Sequence, residues 1–333
     1  MSIAVDAMGG DHAPEAIVRG VLDASSEVKH KIFLVGDIER LKMLMPNKMP
    51  QNVELIHASE CIEMSEKPME ALRKKRDSSI SVGIDLVKTK RAEVFVSAGN
   101  TGACTAGCLI SWKPIEGFKR PAIASPFPNL HDGFYLLDAG ASPDIDPEQI
   151  LDFAVMGRSY VKCVAGRPYP RVHLLNIGEE AGKGNAFAKK AYDLLSRFDW
   201  FAGNIEGKDM FHIKCDIVLC DAFVGNIVLK TAEGIGELVD KLIKQQIPKN
   251  KFARLPYLPA RNLFAPLRKK MDYAEIGGSP LLGLNGLGII CHGRSDARAM
   301  KNAVLLAQKG IDSRLVHEMR AAIQVEKETS IHA

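Results

Sequence analysis

The sequence lacks the features that mark membrane-spanning, disulfide-stabilised and zinc-binding proteins. No apolar run approaches the roughly 18 residues that a transmembrane helix needs. The seven cysteines are an odd number and include no Cys-x-x-Cys pair, so we expect reduced, mostly buried thiols and no metal site. The N-terminus enters an apolar run directly, without the basic start and small-residue cleavage site of a signal peptide. We therefore predict a cytoplasmic protein.

A strong excess of charge of one sign is also missing. The 44 basic and 40 acidic residues leave a formal net charge of +4, which is too small to require a nucleic-acid partner. The distribution is uneven, because residues 241–271 contain nine basic residues and no acidic one. Prolines in this segment exclude one long straight helix. We interpret it as a basic and apolar arm of short helices suited to a membrane surface or a partner, or else as a dimer contact or solvated loop.

Apolar, β-branched segments alternate with segments of helical periodicity along most of the chain. Nine such segments predict strands, among them SIAVDA, KIFLVGD and EVFVSAG. Helices are predicted at residues 14–28, 68–89, 145–163, 185–199, 224–247 and 296–310. Continuous apolar strands separated by helices are typical of a mainly parallel sheet that is covered on both faces, so we predict an α/β fold.

Five of the predicted strands end in small, polar and glycine-rich loops. These loops are VDAMGG (5–10), SAGNTG (97–102), LDAGAS (137–142), NIGEEAGKG (176–184) and CDAFVGN (220–226). Because ligands bind at the carboxyl edge of a parallel sheet, we predict that the loops line one crevice. The aspartates at the strand ends, Asp6, Asp138 and Asp221, would repel an anion, and we predict that they brace their own loops.

The first loop does not match a dinucleotide fingerprint. Gly9 and Gly10 are adjacent, so there is no Gly-x-Gly-x-x-Gly, and no acidic residue is suitably placed after the next strand. A Walker loop and a Gly-x-Ser-x-Gly elbow are absent as well. A glycine turn remains, followed by a helix N-terminus whose amides point at the crevice. Asp11 and His12 would contact substrate there, or would serve only as a helix cap and a surface residue.

The SAGNTG loop carries the clearest signal for an anion. Gly99 and Gly102 bracket Asn100 and Thr101, and a helix of very small residues follows. Small residues let backbone amides approach an anion, and the amide and hydroxyl side chains add directed hydrogen bonds. The alternative is that the small residues serve only to pack the helix tightly on the sheet.

Three later loops add candidates. Lys183 lies next to Gly184, just before a helix that Asn185 would cap, where it would neutralise a phosphate or remain an ordinary exposed turn lysine. The segments DAFVGN and HGRSDA supply the remaining candidates, which are Gly225, Asn226, His292 and Arg294.

Taken together and in order, VDAMGGDHAP, SAGNTGA, NIGEEAGKGN, DAFVGNIVLKTAEG and GGSPLLGLNG…HGRSDA closely resemble the PlsX-type phosphate acyltransferases of bacterial phospholipid synthesis. The resemblance extends over essentially the whole chain, 1–333. It implies transfer of a fatty acyl group from acyl carrier protein to inorganic phosphate, without a cofactor. It also implies a dimer and a three-layer α/β/α sandwich of two intertwined lobes, like that of the isocitrate and isopropylmalate dehydrogenases.

Two positions depart from the family's pattern. Many members read Gly-Ala-Asn after the strand-end aspartate, whereas Asp138 is followed here by Ala-Gly-Ala-Ser, so no asparagine role carries over. Asn285 stands where a lysine often follows the Gly-Leu pair, which removes one candidate cation.

The implied reaction needs no protein nucleophile, since phosphate is already anionic near neutral pH. The enzyme has to hold phosphate beside the thioester carbonyl and stabilise the oxyanion that forms. We assign Asn100, Thr101 and Lys183 to phosphate or oxyanion binding. Asn226, His292 and Arg294 take second rank; the histidine would protonate the leaving thiolate or only bridge loops.

Carrier proteins are acidic as a class, so a docking surface should be basic. LRKKRD (72–77) offers four cations on a predicted helix, or is simply a solvated helix face; the cations are Arg73, Lys74, Lys75 and Arg76. Because acyl phosphate passes to a membrane glycerol-phosphate acyltransferase, the 241–271 arm is hypothesised to contact the membrane. The contact would be made through Leu255, Leu258 and Phe264.

Two other functions stay open at this point. GASPDI (140–145) has some likeness to the cofactor loop of metal- and NAD-dependent decarboxylating dehydrogenases. The second alternative is a non-catalytic adaptor that binds a carrier protein or a membrane.

Overall fold

Strands form where the sequence places short runs of aliphatic and β-branched residues. The computed structural model describes residues 1–246 and 275–332. Its first sheet contains β1 (Ser2–Asp6), β2 (Lys31–Gly36), β3 (Val53–His57), β4 (Val94–Ser97), β5 (Ala122–Ile123), β11 (Ser279–Leu282) and β12 (Leu287–Ile290). The strand order is β3-β2-β1-β4-β12-β11-β5. The first five are parallel, and β11 runs antiparallel to both of its neighbours.

A second sheet of five strands follows in the chain. It consists of β6 (Ser125–Phe127), β7 (Phe134–Leu137), β8 (Val172–Asn176), β9 (Phe201–Glu206) and β10 (Ile217–Leu219). Their order is β6-β7-β10-β8-β9, and only β6 is antiparallel to its neighbour. The chain thus builds most of the first sheet, crosses to the second and returns to the first with β11 and β12.

Helices cover the sheets. They are α1 (Glu15–Ser25), α2 (Ile38–Leu44), α3 (Pro68–Lys74), α4 (Ser79–Lys88), α5 (Thr101–Trp112), α6 (Gln149–Cys163), α7 (Ala186–Leu195), α8 (Ala222–Gln246), α9 (Ala297–Asp312) and α10 (Leu315–His332). Alternate residues of β1 point to opposite cores, with Ile3 and Val5 on one side and Ala4 on the other. The larger core contains residues of both sheets, so the two sheets are parts of one packed unit.

The predicted mainly parallel α/β architecture is confirmed, with differences in detail. All nine predicted strand segments form, but PAIASPF divides into β5 and β6, which belong to different sheets. Strands β9 and β11 escaped prediction, because glycine and asparagine interrupt the first and proline lies in the second. The predicted helix at 68–89 is wrong as a single element: it ends at Lys74, and α4 begins after Ser78, whose hydroxyl accepts from the Ser81 amide.

Candidate active site

Three glycine loops meet backbone to backbone at the carboxyl end of β1, β4 and β12. A Cβ atom on Gly9 would lie 2.7 Å from the Cα of Gly99 and 2.8 Å from its nitrogen, so position 9 does not tolerate a side chain. Gly10 has φ +111°, a conformation that favours glycine. The amide of the next residue, Asp11, donates to the carbonyl oxygen of Gly293 at 2.7 Å. The convergence predicted for the first two loops is confirmed, and the HGRSDA loop joins them.

Asp6 braces this cluster, as predicted. Its Oδ1 accepts from the amides of Met8 and Gly9 at 3.0 and 3.1 Å, and its Oδ2 accepts from the Ser97 hydroxyl at 2.7 Å. Burial raises the pKa of Asp6, and these hydrogen bonds oppose the rise. The carboxyl group is fully buried and turned into its own loop, so it lies away from any anion in the crevice.

The two other strand-end aspartates do the same in the second sheet. Asp138 is buried and accepts four backbone amides at 2.8 to 3.0 Å, those of Ile123, Gly140, Ala141 and Ser142. Asp221 accepts from the first amides of α8 at 2.9 Å. The predicted bracing roles of both residues are confirmed.

Asn100 is committed to the protein itself. Its Oδ1 accepts from the Ala103 amide at 3.0 Å and caps α5, while its Nδ2 donates to three carbonyls of the 63–66 loop at 3.0 to 3.2 Å. The side chain therefore positions two loops, and its predicted role as a direct phosphate ligand is not supported. Thr101 is exposed at the first turn of α5, and among the described residues the amides of Thr101 and Gly102 have no acceptor.

The Lys183 turn lies at the carboxyl end of β8. The Lys183 side chain is 53% exposed, and its Nζ lies 4.0 Å from Glu180, so its charge faces solvent. Gly184 has φ +89°, and a Cβ there would lie 2.8 Å from the Cβ of Ala188. Asn185 accepts from the amide of Ala188 at 2.9 Å, which confirms it as the cap of α7.

The start of α8 packs on the loop that follows β7. A Cβ on Gly225 would overlap the carbonyl oxygen of Asp138 and lie 2.9 Å from its carbonyl carbon. The exposed Asn226 lies beside Gly140, where an added Cβ would be 3.8 Å from the Asn226 amide. Gly225 therefore fixes how closely α8 approaches this loop, and it places Asn226 at the loop's edge.

Farther along, α8 reaches the loop after β12 in the first sheet. The Arg294 guanidinium forms an ion pair with Glu237, and Nε2 of His292 lies 4.0 Å from Oε2 of Glu233. Neither carboxylate was predicted as a site residue, although their four-residue spacing on a predicted helix is visible in KTAEGIGE. The five loops thus form two groups, one for each sheet, and the single crevice predicted for all five is shown only for the first two. Helix α8 begins in the second group and contacts the HGRSDA loop beside the first.

The backbone sets the protonation of His292. The amide of Arg294 donates to Nδ1 at 3.1 Å, so Nδ1 is unprotonated and the ring proton is on Nε2. Burial lowers the pKa of His292, and the nearby charge of Glu233 opposes this. The imidazole is accordingly neutral near pH 7 and acts as a hydrogen-bond donor through Nε2.

Asp11 and His12 are exposed beside this loop. Helix α1 begins at Glu15 without a side-chain cap, so the interpretation of Asp11 as a helix cap is wrong. The negative charge of Asp11 acts to raise the pKa of His292, which indicates that the two groups are close.

The basic run at 72–77 does not form one helix face. Lys75 follows the end of α3, and its Nζ donates to the Cys61 carbonyl at 2.7 Å and to Glu66 at 2.6 Å. Its charge is used within the protein, which corrects its predicted place in a docking surface. Arg73, Lys74 and Arg76 are exposed.

The remaining predicted contacts concern membranes and metals. Leu255, Leu258 and Phe264 lie outside the described residues. In the part of the chain that the structure describes, no helix is both long and apolar enough to span a bilayer. Residues 1–246 and 275–332 also contain no group of three His, Cys, Asp or Glu side chains placed to hold a metal ion.

Comparisons with known proteins identify the family. A family model described as "Fatty acid synthesis protein" matches residues 1–318. Phosphate acyltransferases from Pelotomaculum thermopropionicum and Heliobacterium modesticaldum are 44% and 45% identical, over 97% of this chain and 95% and 97% of theirs. The chain belongs to the phosphate acyltransferase family. The resemblance in the sequence motifs is confirmed.

Solved structures support the fold. A phosphotransacetylase from Streptococcus pyogenes aligns with a TM-score of 0.60 at 17% identity, over 94% of both chains. A 4-hydroxythreonine-4-phosphate dehydrogenase from Klebsiella pneumoniae aligns with a TM-score of 0.52 at 13% identity, over 92% of this chain and 98% of its own. Such low identities show the α/β sandwich alone, so the second likeness does not favour the dehydrogenase alternative over the phosphate acyltransferase family.

Proposed function

We propose that this phosphate acyltransferase moves a fatty acyl group from acyl carrier protein to inorganic phosphate, giving acyl phosphate for phospholipid synthesis. The full-length match to phosphate acyltransferases carries the proposal. The site geometry supports it, because the amides of Thr101 and Gly102 are left without an acceptor among the described residues and the strand-end carboxylate of Asp6 is turned inward. The site therefore suits an anion that brings its own nucleophilic oxygen.

Phosphate binds, in this proposal, at the first turn of α5. The unpaired amides and the hydroxyl group at Thr101 and Gly102 supply donors, and the positive end of the helix dipole favours an anion there. Asn100 acts as a positioning residue, because it ties α5 to the 63–66 loop. Lys183 and Asn226 approach from the loops of the second sheet, with the Lys183 charge available to neutralise phosphate or the oxyanion.

The chemical step transfers the acyl group from the sulfur of the carrier protein's thioester to an oxygen of phosphate. A phosphate oxygen attacks the thioester carbonyl carbon, a C–O bond forms, the C–S bond breaks, and the carrier's thiolate leaves and takes up a proton. His292 donates a hydrogen bond through Nε2 to the oxyanion or to the departing sulfur, since its ring is neutral with the proton on Nε2. Glu237 positions Arg294 and, with it, the amide that orients this ring.

The carrier protein docks, we propose, beside the start of α5. Pro68, the first residue of α3, packs against Gly102, where an added Cβ would lie 2.5 Å from the proline ring. Arg73 and Lys74 follow within about 9 Å along the helix axis, and Arg76 is also exposed. These cations suit an acidic partner that must bring its thioester to this loop.

We also propose a homodimer and a peripheral membrane contact. Along α8, large apolar side chains are exposed on several faces, and five of them are at least 49% exposed: Phe223, Ile227, Ile235, Leu238 and Leu242. An apolar helix surface of this kind is normally covered, which favours a second copy on α8. The residues after α8, through residue 271, would contact the inner surface of the cell membrane from the cytoplasm. Deletion of the segment that contains Leu255, Leu258 and Phe264 should then abolish binding to lipid vesicles.

The reaction is tested with purified protein, acyl carrier protein charged with a fatty acid, and phosphate. We expect acyl phosphate, trapped with hydroxylamine, to appear in step with free carrier thiol. Lys183→Met should lose most of the rate, whereas Lys189→Met, a matched exposed lysine on α7, should retain it. Thiol release without any need for phosphate would contradict the proposed acceptor.

A further inference from the structure

A second cavity lies at the opposite end of the first sheet. Its volume is about 380 Å³, and it opens where β1, β4 and β12 begin, about 13 Å along the strands from the glycine loops. Its floor is apolar and is formed by Val87, Ala92, Val94, Leu287, Ile311 and Leu315. The volume falls within the range of about 300 to 1,000 Å³ that small-molecule sites occupy.

Three cations surround this cavity. Lys90, Arg314 and Arg320 line it, and none of them pairs with a carboxylate among the described residues. Arg320 donates to Oδ1 of Asn285 at 2.9 Å, a neutral acceptor that leaves its charge in place. The acidic lining residue, Glu93, accepts from the Ser2 amide. The rim therefore carries an excess of positive charge over an apolar floor.

A larger surface groove of about 760 Å³, between α1 and α9, serves as a comparison for the cations of this cavity. Each of its cations is paired with a carboxylate: Arg19 with Asp23, Arg298 with Glu275, and Lys301 with Glu27. Ion pairing accounts for the charges of the groove but not for those of the cavity.

Helix ends explain only part of the cation cluster. Lys90 and Arg314 follow the last turns of α4 and α9 with φ of 59° and 51°, where a cation also faces the carbonyls of the helix end. Arg320 is not at the C-terminal end of a helix, since it lies in the second turn of α10. The helix dipole therefore does not explain its position. Leu315 and Val316, in the first turn of α10, also line the cavity, and their amides have no acceptor among the described residues.

We propose that this cavity binds a small amphiphilic anion, with one carboxylate or phosphate head group and a short apolar chain. The head group is held by Lys90, Arg314 and Arg320, and the chain lies on the apolar floor. The site is separate from the glycine loops, so the proposal does not rest on the catalytic function.

Isothermal titration of the full chain tests this, with octanoate and octyl phosphate as probes. Octanol lacks the charge and inorganic phosphate lacks the chain, so both should bind at least about tenfold more weakly than octanoate. The octyl phosphate arm reports which head group is preferred. Octanol binding as tightly as octanoate, or no saturable octanoate binding, would overturn the proposal.

Variants locate the binding. Lys90→Asn and Arg314→Asn remove one charge each at left-handed positions that asparagine tolerates, so the fold should persist. Each should weaken octanoate binding about tenfold, whereas Lys309→Gln, on α9 but outside the cavity, should not change it. Unchanged octanoate binding in both asparagine variants would assign the binding to the acyl site and refute the proposal.

Discussion

The contact between Gly225 and the Asp138 loop makes a quantitative prediction. In Gly225→Ala the new Cβ would overlap the Asp138 carbonyl oxygen and lie 2.9 Å from its carbon and 3.0 Å from Sγ of Cys220. Relief needs a shift of about 1 Å between α8 and the loop, because the neighbours are backbone and a buried thiol. Overpacking of this kind costs about 1–3 kcal/mol, and the better helix propensity of alanine returns up to about 1 kcal/mol.

We therefore expect the free energy of unfolding of Gly225→Ala to fall by about 1–2 kcal/mol in urea titrations. The rate of acyl phosphate formation should fall further than stability alone explains. A displacement of about 1 Å at Asn226 costs up to about 100-fold in a positioned reaction.

Gly234→Ala is the matched control on the same helix. Nothing lies within 4 Å of a Cβ at Gly234, so this variant should be as stable as the parent or more stable, and fully active. If Gly225→Ala matched the parent in unfolding midpoint and rate, the close packing of α8 on the Asp138 loop would be disproved.

Other outcomes concern protonation and loop anchoring. Burial lowers the pKa of His173 to about 4. The contribution of the neutral His173 ring to the free energy of unfolding is therefore fully present above about pH 6.5 and is lost as the pH falls to 4. The loss is about 3 kcal/mol, and His173→Leu should abolish this pH dependence in urea titrations at pH 4 to 7. His292→Asn keeps an acceptor for the Arg294 amide but loses the Nε2 donor, so kcat should fall about 100-fold with unchanged unfolding; an unchanged kcat would exclude His292 from the reaction. In the parent, protonation of His292 removes the Nδ1 acceptor for the Arg294 amide, and with it the hydrogen bond that orients the ring. The part of kcat that depends on His292 should therefore decline below pH 6.5 and be constant above it. Asn100→Ser keeps a capping oxygen for α5 without adding a charge, but it loses the donors to the 63–66 loop. A large loss of kcat with little change in KM for phosphate would support positioning, whereas a selective rise in KM would restore Asn100 as a ligand.

The sequence alone determined most of the strands, the cap of α7 and the family. Runs of aliphatic residues specify strands through local sterics and burial, and Asn185 caps α7 through an amide only three residues away. Asp6, Asp138 and Asp221 brace their loops largely with amides two to four residues ahead. These interactions are short in sequence, so the pattern of neighbouring residues is enough to predict them.

Tertiary structure alone decided which polar side chains are used inside the protein. The Asn100 amide binds carbonyls 34 to 37 residues away, and Glu237 reaches Arg294 across 57 positions. From composition and spacing, Asn100 and Lys75 were predicted to contact ligands. In the folded chain the 63–66 loop packs beside them, and Glu66 accepts hydrogen bonds from both side chains. The same holds for the cation-lined cavity, because its residues come from four separated segments that only the packed sheet brings together. Local sequence encodes what a residue can do, and long-range packing determines whether its donors, acceptors and charge remain free to do it.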